Sequence, residues 1–195
     1  MTANIFGLVA ALALFLGVHS VRMLFPQMRD ARIASMGEGR WKGLYSLVSL
    51  AGLVLLVWAY SKAQPLSPVL YVTPFWMVHL AVALMAVAFV AMMVFNLPAG
   101  RLKPLLKHPF LLSIKLWALA HLMVNGDLAS VLLFGSFLAW AVWNRIAVKR
   151  RGGALPAQGP VVWDIAAIGS GLALWVLFVW KLHQWLIGVP IPLGT

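Results

Sequence analysis

Six apolar runs, of which the fourth is short and interrupted by Lys115, dominate this sequence. About 20 mostly apolar residues span the hydrocarbon core as a helix, and backbone groups in lipid must find their hydrogen bonds within such a helix. The predicted spans are residues 3–25, 43–60, 75–97, 109–125, 128–147 and 162–187. The chain is therefore predicted to be an all-α, polytopic transmembrane helical bundle that forms a single domain over residues 1–195.

The composition agrees with a membrane protein and excludes several other classes. Of the 195 residues, 63% are hydrophobic and 10% are charged, whereas soluble domains carry about 25% charged residues. The net charge of +11 does not indicate nucleic acid as a partner, because the basic residues are scattered between apolar runs. The chain has no cysteine, which excludes disulfides, iron–sulfur clusters, thiolate ligation of haem and covalent haem attachment.

The basic residues between the runs predict the orientation. Twelve Lys and Arg residues lie in the loops on one side of the predicted membrane, and Lys62 alone lies on the other. By the positive-inside rule, the twelve face the cytoplasm and both termini lie outside. The first run has no basic residue before it and no small-residue cleavage site after it, so a membrane helix is expected there and not a signal peptide.

Ionisable side chains within the apolar runs are the candidate functional residues, because such groups are costly in lipid. His19 lies near the inner end of the first span and His79 near the outer end of the third. His108 directly precedes Pro109, a residue that suits the first turn of a helix. His183, between tryptophans of the last span, is assigned to the outer interface.

His121 lies on the fourth span, with Ser113 at i−8, Trp117 at i−4 and Asn125 at i+4. These residues share one helical face, which is too polar for lipid and is predicted to face the bundle interior. For one isolated histidine, a hydrogen bond to a neighbouring helix would be the simpler explanation. Several histidines near the ends of spans instead favour haem b, held by two neutral imidazoles between helices.

Other polar or small residues have simpler interpretations. Lys115, about 10 Å along the helix from His108, either reaches the inner interface or binds an anionic group such as a haem propionate or a lipid phosphate. Asp164 is expected to stabilise the N-terminus of the sixth span. The glycines within 168–174 are expected to allow close helix packing, and residues 125–127 predict a tight turn.

Several segments together resemble the NnrU family of bacterial membrane proteins. These are FLGVHSVR, GRLKPLLKHP, and KLWALAHLMVNGDLASVLLFGSFLAWAVWNR with the KRRG that follows. Plant zeta-carotene isomerase is similar at a greater distance, with a His-Ser in an early span and a basic-His-Pro followed thirteen residues later by Ala-His, as in this chain. The resemblance implies a location in the bacterial inner membrane, and haem b with His19 and His121 as ligands. The plant motif has a cysteine where this chain has Leu119, so ligand switching through a cysteine is not available here.

The resemblance also implies a functional context, namely nitrite and nitric oxide metabolism or a redox-gated isomerisation. The partners would be nitric oxide or an apolar isoprenoid or carotenoid substrate, beside the lipid bilayer. Enzymatic activity is left open, with a haem-dependent isomerase as the candidate. A non-enzymatic role in assembling respiratory nitrogen-oxide reductases is an alternative. An integral-membrane methyltransferase is another, since Lys107-His108-Pro109 resembles the Arg-His-Pro of such enzymes, although their downstream paired glutamates are missing.

The depths of the histidines in the membrane, calculated from the helical rise, do not decide which histidine pairs with His121. His19 lies about 7 Å inward, and His121 about 5 Å outward, of the centre of its own span. His79 is closer in depth to His121 and is the alternative partner. His108, His79 and Lys115 are therefore kept as secondary candidates for contact with the haem.

Overall fold

The computed structural model describes residues 2–152 and 156–192, which are built of α-helices joined by short loops. The helices are α1 (Thr2–Leu24), α2 (Pro26–Met36), α3 (Glu38–Ala63), α4 (Trp76–Asn96), α5 (Leu102–Leu106), α6 (Pro109–Val124), α7 (Leu128–Arg151), α8 (Val162–Leu177) and α9 (His183–Ile187). A 3₁₀ turn, Gln64–Leu66, extends α3. A π-helical turn, Phe178–Leu182, joins α8 and α9 into one continuous helix.

The six predicted spans are confirmed as helices. Five helices are long and apolar enough to cross a membrane, namely α1, α3, α4, α7 and the continuous α8–α9. The sixth, α6, is apolar but has 16 residues, a length of about 24 Å that falls short of a typical hydrocarbon core. This short helix carries Lys115 and His121.

Some helices extend beyond the predicted spans into polar sequence. α3 begins at Glu38, whose carboxylate pairs with Lys42 at 2.9 Å one turn later. α7 continues to Arg151, and the basic side chains of its last turn interact favourably with the helix C-terminus. Hydropathy therefore located the part of each helix that is apolar enough for lipid, while local charge interactions extend the helix past it.

The long helices pack side by side in the order α3, α1, α7, α6, α4 and α8. Of nineteen buried apolar residues among the described ones, eleven are alanines, and small residues let membrane helices approach closely. At the α4–α8 contact, a Cβ on Gly171 would lie 2.7 Å from the Cα of Val90. The close packing expected of the 168–174 glycines is thus confirmed at Gly171. A Cβ on Gly169 would meet no atom of the described chain within 4 Å.

Large apolar side chains cover the outside of this row of helices. Leu47 and Val54 of α3 expose 68% and 62% of their surface, and Ile165 of α8 exposes 66%. Soluble monomers rarely expose extended apolar surface of this kind, whereas lipid tails solvate it without cost. The fold is therefore that of a multi-pass membrane protein.

The loops that carry most of the basic residues meet at one end of the bundle, here named the basic end. The guanidinium of Arg151 donates to the carbonyl of Arg22 at 3.2 Å. The backbone N–H of Gly159 donates to the carbonyl of Gly100, also at 3.2 Å. Loops that follow α1, α4 and α7 thus lie together, as the charge pattern of the sequence requires.

The opposite end of the bundle joins the N-terminus to the remaining loops. The side-chain amide of Asn4 donates to the carbonyl of Lys62 at 3.0 Å, and the N–H of Leu128 donates to the carbonyl of Pro68 at 3.0 Å. The tight turn predicted at residues 125–127 is confirmed, because α6 ends at Val124 and α7 begins at Leu128. This end holds the C-terminal part of α6 and the start of α4.

Candidate functional site

His121 lies one turn before the end of α6, near the end of the bundle opposite the basic loops. Its Nδ1 lies 2.8 Å from the carbonyl oxygen of Trp117. A carbonyl oxygen accepts hydrogen bonds and cannot donate, so Nδ1 carries a proton, and in the neutral imidazole Nε2 then keeps its lone pair. Histidines that bind metals usually have this arrangement, in which the other ring nitrogen donates to a carbonyl and fixes the ring.

Aromatic side chains of α6 and α7 surround the His121 ring. It stacks on Phe134, with ring centroids 4.7 Å apart and planes inclined by 28°, and the Trp117 ring lies 5.4 Å away. Trp117 packs in turn against Phe134 and Phe137, at 5.1 and 5.3 Å. Ser113, on the same stripe, is 4% exposed. The predicted polar face of α6 therefore does turn toward the protein interior, against α7.

The histidine next to His121 is His183, which the sequence assigned to the outer interface. The centroids of the two rings are 6.5 Å apart and their planes differ by 30°. Nδ1 of His183 lies 2.7 Å from the carbonyl oxygen of Val189, so this ring too donates from Nδ1 and leaves Nε2 free. Gly188, with φ of +83°, makes the left-handed turn that brings the Val189 carbonyl back toward the ring.

A π-helical turn directly precedes His183 and sets the direction of its side chain. A π turn holds about one residue more than an α turn, so the residues that follow Phe178–Leu182 are rotated by about 100° relative to a straight α-helix. No local pattern in LFVWKLHQ predicts the extra residue. Sequence analysis had no signal that could place His183 beside His121.

His19, the predicted partner of His121, lies in α1 toward the basic end. Its Nδ1 is 2.7 Å from the carbonyl oxygen of Phe15, which again makes Nδ1 the donor. The rings of Phe15, Tyr45 and Trp140 have centroids 4.3, 5.7 and 6.3 Å from that of His19. Residues of α1, α3 and α7 thus enclose His19 in aromatic surroundings that resemble those of His121.

Among the described aromatic rings, those of His19 and His121 are not paired directly, and a row of other rings connects them. Phe15 lies beside His19, and its ring centroid is 5.8 Å from that of Phe137. Phe137 then packs 5.3 Å from Trp117, the neighbour of His121. The row crosses α1, α7 and α6. Ligation of one iron by His19 and His121 stays a prediction.

The secondary candidates lie apart from the His121 site. His79 is exposed in the first turn of α4, where its ring packs edge-on against Phe75 at 5.2 Å. Lys115 is partly exposed near the middle of α6. His108 precedes α6 at the basic end. His79 lies at the same end of the bundle as His121, as expected from their similar depths in the predicted spans. Its part in haem binding stays a prediction.

The Lys-His-Pro segment forms a strained turn at the basic end. Lys107 has φ of +61° and ψ of −51°, and the N–H of His108 donates to the carbonyl of Leu106 at 2.6 Å. This is the rare γ-turn conformation, which is unfavourable for a residue with a side chain. Partial burial, and then the positive charges of Arg145 and Lys107, lower the pKa of His108 from its ordinary value.

The donor set at the His121 site suits one kind of metal centre better than another. Within residues 2–152 and 156–192, no three His, Asp or Glu side chains are grouped closely enough to hold a metal ion. A structural zinc ion takes four protein ligands, so a histidine pair is incomplete for it. The iron of haem b already has four porphyrin nitrogens, and two histidines complete its coordination.

Comparison with known proteins gives one family. The model of the NnrU protein family matches residues 7–191. This range includes all five histidines of the chain. No curated protein and no solved structure matches the chain significantly.

Proposed function

The chain belongs to the NnrU family of proteins, and we propose that it binds haem b, with His121 as a residue that would hold the iron. One observation carries the proposal: the His121 ring donates from Nδ1 to the Trp117 carbonyl at 2.8 Å, which leaves Nε2 free to bind a metal. The second ligand predicted from the sequence is His19, whose Nδ1 donates to the Phe15 carbonyl in the same way. Imidazole nitrogen is a donor type that haem b takes.

The surroundings of His121 also suit a flat apolar macrocycle. Phe134 stacks on the imidazole and Trp117 lies beside it, so the side chains around the ligand are mostly apolar. Such a shell limits the access of water to an iron centre and so tunes its redox potential. Lys115 lies six residues before His121, roughly 9 Å along the helix, and is the candidate cation for a haem propionate.

Two reaction contexts follow from the proposal. When bound, haem b would supply a redox-active iron that binds nitric oxide or acts on an apolar isoprenoid or carotenoid polyene. In the first context the protein serves nitrogen-oxide metabolism, and in the second it is a redox-gated isomerase. In both, the chain's own part is to fix the orientation of the ligand imidazoles and to keep the site apolar. We place this activity in the bacterial inner membrane.

The test is the absorption spectrum of detergent-purified protein from haem-replete cells. We expect Soret and α bands after reduction with dithionite, and their loss in His121→Ala. His19→Ala and His79→Ala test the two candidate partners, because they remove the histidine predicted from the sequence and an exposed histidine near the same end of the bundle as His121. Loss of haem in His79→Ala, with retention in His19→Ala, would instead make His79 the partner of His121. Colourless wild-type protein would contradict the proposal and leave an accessory role in reductase assembly to be tested.

A further inference from the structure

The loop between α3 and α4, residues 67–75, forms an exposed apolar surface at the end of the bundle opposite the basic end. It contains no Asp, Glu, Lys or Arg, and neither does the rest of the sequence from residue 63 to residue 100. Val69 and Leu70 each expose more than half of their surface, and Val72 exposes 86%. Contiguous exposed apolar surface marks a site of interaction with a membrane or with another protein.

Hydrogen bonds fasten this loop to the end of α6. The backbone N–H groups of Leu70 and Tyr71 both donate to the carbonyl of Gly126, at 2.7 and 3.2 Å. The hydroxyl of Tyr71 donates to the carbonyls of Leu122 and Asn125, where α6 ends. The carbonyls of the last helical turn have no partner within their own helix, so the loop satisfies part of this helix end. The depth of the loop in the membrane is therefore set by the depth at which α6 ends.

That depth follows from the length of α6. The helix begins at Pro109, two residues after the exposed Lys107 at the basic end. Its 16 residues reach about 24 Å across a hydrocarbon core of about 30 Å. α3, with 26 residues, is about 39 Å long and carries Lys62 past the core into water. From the end of α3, the loop thus returns toward the lipid to reach the shorter helix.

The backbone of the loop is compatible with a shallow position in lipid. An irregular segment in a membrane is costly when its N–H groups have no acceptor. Pro68 and Pro74 have no N–H group, and the N–H of Ser67 donates to the carbonyl of Gln64 at 3.1 Å. Together with the bonds to Gly126, this reduces the number of donors that need a partner from the surroundings. Water and headgroup oxygens at the boundary between headgroups and acyl chains can accept from the others.

We infer that the α3–α4 loop docks on phospholipid, in the headgroup–acyl boundary of the leaflet opposite the basic end. Val69, Leu70 and Val72 then lie among the upper acyl carbons, the depth at which apolar faces of interfacial segments are buried. Trp76 continues the exposed surface onto the first turn of the membrane helix α4, and Tyr and Trp are enriched at this level of a membrane. A lipid partner is favoured over a protein because the loop is continuous with lipid-facing surface and ends at the level of the lipid boundary. The inference is independent of the proposed haem site.

The experiment measures the surroundings of single nitroxide labels on the full-length protein, whose natural chain has no cysteine. Val72→Cys is labelled in vesicles of phosphatidylethanolamine and phosphatidylglycerol at a high ratio of lipid to protein. Electron paramagnetic resonance then compares collisions of the label with oxygen, which concentrates in lipid, and with a nickel chelate, which stays in water. Val54→Cys, on the exposed apolar side of α3, is the lipid control. Ser61→Cys, exposed next to Lys62, is the water control at the same end of the bundle.

The ratio of oxygen to nickel collisions at residue 72 should be several-fold higher than at residue 61 and close to that at residue 54. A ratio at residue 72 equal to that at residue 61 would place the loop in water and overturn the inference. Few collisions with either reagent would also overturn it, because protein and not lipid would then cover the loop. Val69→Cys is a second variant with the same expected result, so the test does not depend on one substitution.

Discussion

The carboxylate of Asp164 in α8 accepts a hydrogen bond from the backbone N–H of Arg101, with 2.8 Å between the nitrogen and Oδ2. Its Oδ1 accepts a second bond from the N–H of Leu102, the first residue of α5, at 3.0 Å. Asp164 is 9% exposed. The carboxylate therefore holds the start of α5 against the start of α8 at the basic end, in addition to lying in the first turn of its own helix.

We expect Asp164→Ala to destabilise the protein by about 1–3 kcal/mol, because it leaves two partly buried N–H groups without their acceptor. Thermal unfolding of the detergent-purified variant measures the effect. Asp30→Ala is the control. Its carboxylate is exposed and pairs with the adjacent Arg29, and surface pairs contribute about 0–1 kcal/mol. Equal unfolding temperatures of the two variants would show that the Asp164 hydrogen bonds do not contribute to stability.

The contact between α4 and α8 should tolerate no added methyl group at Gly171. A Cβ there would lie 2.7 Å from the Cα and 2.9 Å from the backbone nitrogen of Val90. Gly171→Ala should therefore force the helices apart and cost about 1–3 kcal/mol. At Gly169, two residues earlier, an added Cβ would meet no atom of the described chain within 4 Å, so Gly169→Ala should leave the unfolding temperature unchanged or raise it slightly. A reversal of this order would argue against the observed α4–α8 packing.

The orientation in the membrane can be tested by cysteine labelling, because the natural chain has no cysteine. Ser61 is exposed near the end of α3, and Ser35 is exposed in α2 at the basic end. In spheroplasts, a membrane-impermeant maleimide should label Ser61→Cys and should reach Ser35→Cys only after permeabilisation. This follows from the positive-inside rule. If intact spheroplasts labelled Ser35→Cys and not Ser61→Cys, the predicted orientation would be wrong and the basic end would lie outside.

The stability of the protein should depend on the protonation of His108. Its pKa in the folded protein is lowered from the ordinary 6.5, first by burial and then by the positive charges of Arg145 and Lys107. Below about pH 6.5 the unfolded chain therefore binds the proton more readily than the folded one, and stability decreases until the pH has fallen past the folded-state pKa. We expect His108→Gln to remove this part of the decrease.

Unfolding temperatures at about pH 7.5 and about pH 5 measure this His108 effect. Arg145→Gln serves as a second variant, since removing one positive charge should raise the pKa of His108 and reduce the loss of stability. The assignment would be wrong if wild type and His108→Gln lost the same amount of stability on acidification.

Sequence and structure agree wherever the physical cause is local. The 75–97 run became α4 (Trp76–Asn96), and the turn at 125–127 lies between α6 and α7 as expected. Asp127 caps α7 by accepting the N–H of Ser130 at 3.0 Å, a role typical of Asp directly before a helix. Hydropathy, turn propensity and capping act over a few residues, so they can be evaluated without knowing the fold.

The candidate site likewise has one part that could be predicted from local sequence and one part that could not. His121 could be chosen from the sequence because Ser113, Trp117 and Asn125 mark its helical face, and that face does pack against α7. His183 could not be chosen, because its position beside His121 depends on the π turn before it. That turn has no local sequence signature.

The sequence by itself determined the membrane class, the six helices and the polar stripe that contains His121, since each follows from the free energy of placing side chains in lipid. The tertiary structure alone decided which helices are neighbours, that Asp164 holds the start of α5, and that His183 is the histidine beside His121. Those relationships join residues far apart in the chain. They result from close packing at small residues such as Gly171 and from one extra residue in a helical turn, which no short window of sequence contains.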